Sequence, residues 1–201
     1  METAVIWIMD SRLKPLLTSA IEVYNRETDG VFSGKFVLRE IMGRKRTVLY
    51  VENAYPFQTA ERKPSEVYHG NIAAFERVMQ SLTSADIEFV GGYHSHPAPY
   101  KLARPSKSDI EFIKEELDFI RKSKELRTQS EWLEILICIK RRGYARKQKT
   151  GWRSRRHGKK MRFSLTITPY TRYEILMSAY WIGFSGKKHV VSESKVHIES
   201  G

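Results

Sequence analysis

Two histidines separated by a single residue are the clearest sign of a functional site in the sequence. His94 and His96 follow Ile87–Tyr93, an apolar stretch that predicts a β-strand. Side chains two apart on a strand point to the same face, so both imidazoles can share one metal ion. Pro97 ends the strand at once and leaves the pair where a loop opens to solvent. Without a third ligand, the pattern does not separate a metal site from two ordinary histidines.

A carboxylate in the next segment has the position of a third ligand. Ser106 and Asp109 have the Ser-x-x-Asp spacing of a capping box, in which each side chain caps a backbone N–H at a helix start. Apolar residues from Ile110 to Ile120 recur at helical spacing and predict that helix. Asp109 therefore has two interpretations, a structural helix cap or a rigidly held carboxylate that completes a metal site with the two histidines.

The two motifs together resemble a known family of enzymes. His94-Ser95-His96-Pro97, followed by Ser106-Lys107-Ser108-Asp109, is similar to the H-x-H-P…S-x-x-D signature of the JAMM, or MPN-plus, metalloproteases. That family also has an upstream E-x-x-G-x-x-x-G motif, and Glu27 to Gly34 has this spacing. The gap between His96 and Asp109 is longer than is usual in the family, and the surplus lies in a proline-containing loop. The resemblance in organisation covers roughly residues 4–140.

The resemblance implies a site, a reaction and a substrate class. His94, His96 and Asp109 would bind Zn²⁺ and leave a fourth position for water, as catalytic zinc sites do. Glu27 would be the general base, and Ser106 would stabilise the oxyanion of the tetrahedral intermediate. The family cleaves peptide or isopeptide bonds after the C-terminal glycine of ubiquitin or a ubiquitin-like modifier, which makes such conjugates the expected substrates.

The order of predicted elements indicates one mixed α/β domain. Strands joined by hairpins alternate irregularly with helices, which favours a curved, mostly antiparallel sheet flanked by helices over a parallel fold. The resemblance implies the cytidine-deaminase-like MPN/JAMM fold. We expect a catalytic domain over residues 1–185, with a helix starting near Ser65 and a last helix over Tyr173–Trp181, and a polar tail over residues 186–201.

The charge is concentrated in one segment. Twelve of the 35 basic residues lie in 140–162, which contains no acid, so the rest of the chain has 23 basic and 23 acidic residues. We interpret 140–162 as a basic insertion, either a long loop or the tip of a hairpin. It could be solvated only, or contact an acidic protein, or contact nucleic acid through Tyr144 and Trp152.

Composition limits the remaining alternatives. The sequence contains no apolar run long enough to span a membrane and no secretory signal, and its one cysteine, Cys138, lies in an apolar run typical of a buried thiol. These features predict a cytoplasmic protein without a membrane partner. Two rivals stay open: a non-catalytic MPN scaffold or nucleic-acid-binding module that uses the basic segment, and a non-haem iron oxygenase, which also uses two histidines and one carboxylate.

Overall fold

The structure is a computed structural model that describes residues 5–41, 43–57, 61–63, 66–68, 72–87, 89–97, 104–122, 131–185 and 188–199. Among these residues are three helices and twelve strands. They are β1 (Val5–Met9), α1 (Asp10–Glu22), β2 (Asp29–Ile41), β3 (Arg44–Pro56), β4 (Glu61–Lys63), β5 (Glu66–Tyr68), α2 (Ile72–Ser84), β6 (Phe89–Pro97), α3 (Lys107–Lys122), β7 (Glu131–Gly143), β8 (Gly151–His157), β9 (Lys160–Thr168), β10 (Thr171–Ser185), β11 (Lys188–Ser194) and β12 (Val196–Glu199).

Ten of the strands form one mixed sheet. Its order is β12-β1-β3-β2-β6-β7-β10-β9-β8, and β11 also pairs with β10. The β12–β1, β1–β3 and β6–β7 pairs are parallel, and the other six are antiparallel. The expected mixed α/β architecture with a mostly antiparallel sheet is therefore confirmed. No helix among the described residues is both long enough and apolar enough to cross a bilayer.

Each face of the sheet packs against helices. On one face, Leu13 and Leu17 of α1 are buried together with Ile137 and Met177 from the central strands. On the opposite face, Met79 of α2 and Ile113 and Leu117 of α3 are buried with core residues of β7 and β10. Burial of these apolar side chains is the main force that keeps the helices on the sheet. Strands β6 and β7 lie between the two layers, so residues on them are held from both sides.

The sheet curls until its two ends meet. The backbone N–H of Val196 in β12 donates to the carbonyl of Lys159, in the turn between β8 and β9, at 3.3 Å. The Nζ of Lys159 donates in turn to the carbonyl of Glu193. The basic segment therefore does not extend freely into solvent along its whole length, because the tip of its hairpin is tied to the last strands of the chain.

Several sequence-based expectations were wrong in detail. Tyr173–Trp181 is part of strand β10, since Tyr173, Ile175, Met177, Ala179 and Trp181 alternate with period two on the face of the sheet that α1 covers. Of the intervening residues on the other face, Ser178 and Tyr180 are buried too, because this part of β10 lies inside the sheet. A run with apolar residues on both faces is easily mistaken for a helix.

The expected ends of two other segments also differ. Helix α2 begins at Ile72, whereas Glu66–Tyr68, inside the expected helix, is the short strand β5. Residues 188–199 were expected in a polar tail but form β11 and β12, which pair with β10 and β1. Small and charged residues alternate in these strands, so their apolar positions are difficult to recognise in the sequence. Val196, at one of these positions, is fully buried. Much of 140–162 is likewise strand, with β7 running to Gly143 and β8 and β9 forming a hairpin.

Candidate metal centre

Three side chains from two elements converge on one point. The Nε2 atoms of His94 and His96, both at the end of β6, are 2.9 Å apart. The Oδ2 atom of Asp109, in the first turn of α3, lies 3.6 Å from Nε2 of His94 and 3.9 Å from Nε2 of His96. His94 and Asp109 keep a small exposed fraction, so solvent reaches the cluster. We call these three residues the ligand cluster.

The spacing within the ligand cluster fits a small divalent ion. Nitrogen and oxygen ligands lie about 2.0–2.2 Å from zinc at tetrahedral angles, which places ligand atoms roughly 3.3 Å from one another. The three measured separations lie on either side of that value. Among the described residues, this is the group of histidines and carboxylates whose ligand atoms lie close enough together to hold a metal ion. Three protein ligands of this kind leave a position for water or substrate.

A buried glutamate orients His94. The Oε1 atom of Glu134, on β7, lies 2.5 Å from Nδ1 of His94 and accepts a hydrogen bond from the Nδ1–H, which makes Nε2 the nitrogen that faces the ligand cluster. The other oxygen, Oε2, accepts a hydrogen bond from Nε1 of Trp132 at 2.6 Å. The indole in turn lies against β6, because a Cβ on Gly92 would be 2.8 Å from the Trp132 ring. His94 is therefore held by a chain of contacts that reaches back to its own strand.

Glu27 holds His96 in the same way. Its Oε1 atom lies 2.9 Å from Nδ1 of His96, and both side chains are buried. Among the described residues, none donates a hydrogen bond to the second oxygen of Glu27. The residue sits just before β2, and this end of β2 is fixed to β6 by two bonds between Thr28 and Ser95, from the Thr28 N–H to the Ser95 hydroxyl and from the Ser95 N–H to the Thr28 carbonyl.

The capping box predicted at Ser106 and Asp109 is confirmed. The Asp109 N–H donates to Oγ of Ser106 at 3.1 Å, and the Ser106 N–H donates to Oδ2 of Asp109 at 2.6 Å. The same oxygen of Asp109 faces the two histidines, so its two interpretations are compatible. Oγ of Ser106 lies 2.8 Å from Oγ of Ser108. The cap fixes the position of both Ser106 and Asp109 at the entrance to the cluster.

The charges of the site are strongly coupled. Burial lowers the pKa of His94, but the Asp109 and Glu134 carboxylates outweigh this effect and leave the pKa well above its ordinary value. Burial raises the pKa of Asp109, but His94 and the hydrogen bonds from Ser106 outweigh this effect. The pKa of Asp109 is therefore well below its usual range. Burial, reinforced by the negative charges of Glu134 and Asp29, raises the pKa of Glu116 on α3.

Two of these acids were missed by sequence reasoning. Glu134 is one charged residue within the buried run from Trp132 to Ile139, and an isolated charge in such a strand is a signal that it has a specific partner. Glu116 has no such signal, because acids are common on helices. Cys138 is buried, and burial raises the pKa of its thiol to about 11, as expected of a structural cysteine and not of a nucleophile.

Comparison with known proteins adds two findings. The family described as prokaryotic homologs of the JAB domain matches residues 12–157, which include Glu27 and the ligand cluster. No curated protein matches the chain. Among solved structures, the chain is similar to the solution structure of protein DSY2949 from Desulfitobacterium hafniense, with 16% sequence identity and a TM-score of 0.53 over 98% of this chain and 94% of that one. This likeness supports the fold alone.

Proposed function

The chain belongs to the family of prokaryotic homologs of the JAB domain, and from this membership we propose that it is a zinc-dependent metallopeptidase. It hydrolyses a peptide or isopeptide bond after the C-terminus of ubiquitin or a ubiquitin-like modifier. The observation that carries the proposal is the convergence of two histidine Nε2 atoms and one Asp109 carboxylate oxygen, with separations that suit a tetrahedral ion. A scaffold that had lost the chemistry would not need all three.

The residues around the ion have separate tasks. When bound to His94, His96 and Asp109, zinc would supply Lewis acidity and lower the pKa of a water to about 7. Glu134 and Glu27 accept hydrogen bonds from the Nδ1–H groups of His94 and His96, respectively. These bonds keep the Nε2 atoms of both histidines directed at the metal position. Because these side chains are buried and hydrogen-bonded, little rearrangement is needed before the site can act.

Glu27 is our candidate for the general base. One carboxylate oxygen is engaged with His96, and the second is available to accept a proton from the attacking water and return it to the departing amine. A carboxylate anchored through one oxygen is well placed for such a transfer because its orientation is fixed.

Ser106 is our candidate for the oxyanion donor. Its Oγ accepts the Asp109 N–H, which leaves the hydroxyl proton free to turn from Ser108 towards a developing negative charge. One donor of this kind typically contributes about 2.7–4 kcal/mol to lowering the barrier.

The proposal is tested by measuring metal content and hydrolysis together. Wild type and His94→Ala would be purified without a metal-binding tag, analysed for zinc and iron, and incubated with a linear and an isopeptide-linked ubiquitin-like fusion. His157→Ala is the matched control, since His157 is exposed and lies in β8. We expect wild type and the control to contain zinc and cleave, and His94→Ala to do neither. Iron with oxygen-dependent turnover, or zinc with no cleavage of any fusion, would contradict the proposal.

A further inference from the structure

Five arginines lie together on four neighbouring strands of the sheet that also carries His94 and His96. They line a groove of about 740 Å³ formed by the ends of β7, β10, β9 and β8. We call this surface the arginine face; its residues are Arg142, Arg153, Arg155, Arg162 and Arg172.

The arginine face and the two histidines lie on the same side of the sheet. In the strand register, His96 pairs with Cys138, Cys138 with Leu176, Leu176 with Arg162, and Arg162 with Arg155. Residues paired in this way project to the same face. Because strands are about 4.8 Å apart, Arg162 lies roughly 14 Å from His96 along this row, and Arg155 one strand farther. A ligand on the arginine face would therefore approach the metal centre without crossing the sheet.

Two of the five charges are already engaged. Arg142 donates to Glu174, the acid that lines the groove, at 2.6 Å. Arg172 donates to Thr166 and Gln148, and its guanidinium lies over the ring of Tyr144. These contacts hold the two arginines that line the groove on β7 and β10.

The other three arginines, Arg153, Arg155 and Arg162, are exposed, and none of them pairs with an acidic side chain within the described part of the chain. Arg155 and Arg162 are also directly opposite each other in the β8–β9 ladder. Like charges in this position destabilise a hairpin. An arrangement that is unfavourable for folding and clusters positive charge in one groove is explained if an anionic ligand binds there.

The chemistry of the groove favours a carboxylate-bearing peptide over nucleic acid. Single-stranded nucleic acids bind through aromatic platforms as well as positive charge. Phe163 is the one aromatic residue that lines the groove, and it is buried. Trp152 does not substitute for it, because Trp152 alternates with Arg153 along β8 and its ring contacts Phe163 on the opposite face of the sheet, at a centroid distance of 6.0 Å. Arginine forks bind carboxylates and phosphates alike and need no aromatic surface, so it is the lack of a stacking platform that favours an acidic peptide.

We propose that the arginine face binds an Asp/Glu-rich segment of the polypeptide substrate and so delivers the scissile bond to the metal centre. The identity of the ligand as substrate rests on the proposed function, whereas the binding of an acidic peptide does not. Arg153, Arg155 and Arg162 act as binding residues that determine specificity and take no part in the chemical step.

The binding test uses fluorescence anisotropy with three labelled probes: a glutamate-rich peptide, a glutamine-matched peptide of the same length, and a single-stranded oligonucleotide of the same charge. The test variant is Arg153→Gln/Arg155→Gln/Arg162→Gln. The control, Arg12→Gln/Arg44→Gln/Lys45→Gln, removes three exposed charges elsewhere in the chain. We expect the test variant to bind the glutamate-rich peptide about tenfold more weakly and the control to bind within about twofold of wild type.

Three binding results would overturn the inference: no preference for the glutamate-rich over the glutamine peptide, an equal loss in the control, or tighter binding of the oligonucleotide. Folding of the test variant is checked by its thermal midpoint. Arg155→Gln serves as a second variant, which should weaken peptide binding without lowering the thermal midpoint, since it relieves repulsion from Arg162.

Hydrolysis separates this inference from the proposed function. For fusions with an acidic segment, the test variant should raise KM and leave kcat unchanged. Equal KM values for wild type and the test variant on an acidic fusion would overturn the inference alone. Retained peptide binding with no cleavage of any fusion would overturn the proposed function and leave the arginine face as a binding site.

Discussion

The ligand cluster and the arginine face lie on the same side of one sheet but handle charge in opposite ways. In the cluster, the imidazoles of His94 and His96 are each bonded to a carboxylate, and Asp109 is held by the cap of α3. On the arginine face, three guanidiniums are exposed, with no acidic partner among the described residues. Buried charge must be neutralised by its neighbours, whereas exposed charge can stay solvated until a ligand arrives. The ligand cluster therefore supplies fixed geometry. The arginine face supplies electrostatic attraction for a ligand without a strict geometric requirement.

The largest single effect should come from Glu27, the buried acid that is hydrogen-bonded to His96 and is our candidate for the general base. Glu27→Gln keeps an oxygen that can accept from His96, so zinc content should stay near the wild-type value. Turnover should fall by about 10²–10⁴-fold, the usual contribution of a general base. Zinc analysis and kcat are measured beside Glu22→Gln, an exposed acid at the end of α1. Full activity of Glu27→Gln would show that this acid only orients His96.

Ser106 should come next, with a loss confined to catalysis if the helix cap is preserved. Glycine is tolerated at the N-cap at a cost of a few tenths of a kcal/mol, so Ser106→Gly should retain the fold. It should reduce kcat by about 10²–10³-fold through loss of the oxyanion donor. Ser108→Ala is the control, and thermal unfolding accompanies the kinetics. A drop in stability with unchanged kcat would assign Ser106 to the cap alone.

Glu134 tests whether paired charge is what makes the cluster rigid. Glu134→Gln cannot accept from both His94 and Trp132 and should lower zinc affinity by about 10–100-fold, as loss of such an outer partner usually does. Affinity is measured by competition with a chromophoric chelator, with exposed Glu115→Gln as the control. The ¹⁵N chemical shifts of the His94 ring would report whether Nδ1 still carries the proton; an unchanged ring and unchanged affinity would contradict the positioning role.

The proton on His94 gives the site a definite pH dependence. Because the Asp109 and Glu134 carboxylates raise the pKa of His94 well above its ordinary value, the metal-free imidazole keeps its second proton to higher pH than an exposed histidine does. Metal binding must displace that proton, so apparent zinc affinity should rise about tenfold per pH unit until the pH passes the pKa of His94. Calorimetry in buffers of different ionisation enthalpy would count the released protons, and an affinity that stops rising with pH at about 6.5, the ordinary value for histidine, would contradict the raised pKa.

The smallest expected effect is a difference between the two regions in their response to salt. Exposed charges are screened over about 8–10 Å near physiological ionic strength, whereas the buried pairs of the cluster are screened much less. Added salt should therefore raise KM for an acidic fusion several-fold and leave kcat nearly constant. Neutralising Arg153, Arg155 and Arg162 should abolish most of this dependence. An equal salt response in wild type and variant would place the salt-sensitive contact elsewhere.

Local patterns were sufficient for the ligand cluster but not for its surroundings. His94 and His96 are on one face because strand geometry has period two, and Asp109 is fixed by a capping motif that spans four residues. Glu134 and Trp132 could not be found in this way, because they meet His94 only through pairing of β6 with β7, forty residues apart in the chain. The same limit explains the errors at β10 and β12, where the partners of the strand, and not its own residues, decide the structure.

Residues close together in the chain were therefore enough to predict the spacing of the three candidate ligands, a mixed α/β fold, and the concentration of positive charge in 140–162. Packing and pairing of distant segments were needed to show which carboxylates hold the histidines, and that the basic segment contains a hairpin whose Arg155 and Arg162 lie on the same sheet face as His96. These properties depend on the order and register of distant strands, which are set by burial of the whole core and not by any local pattern.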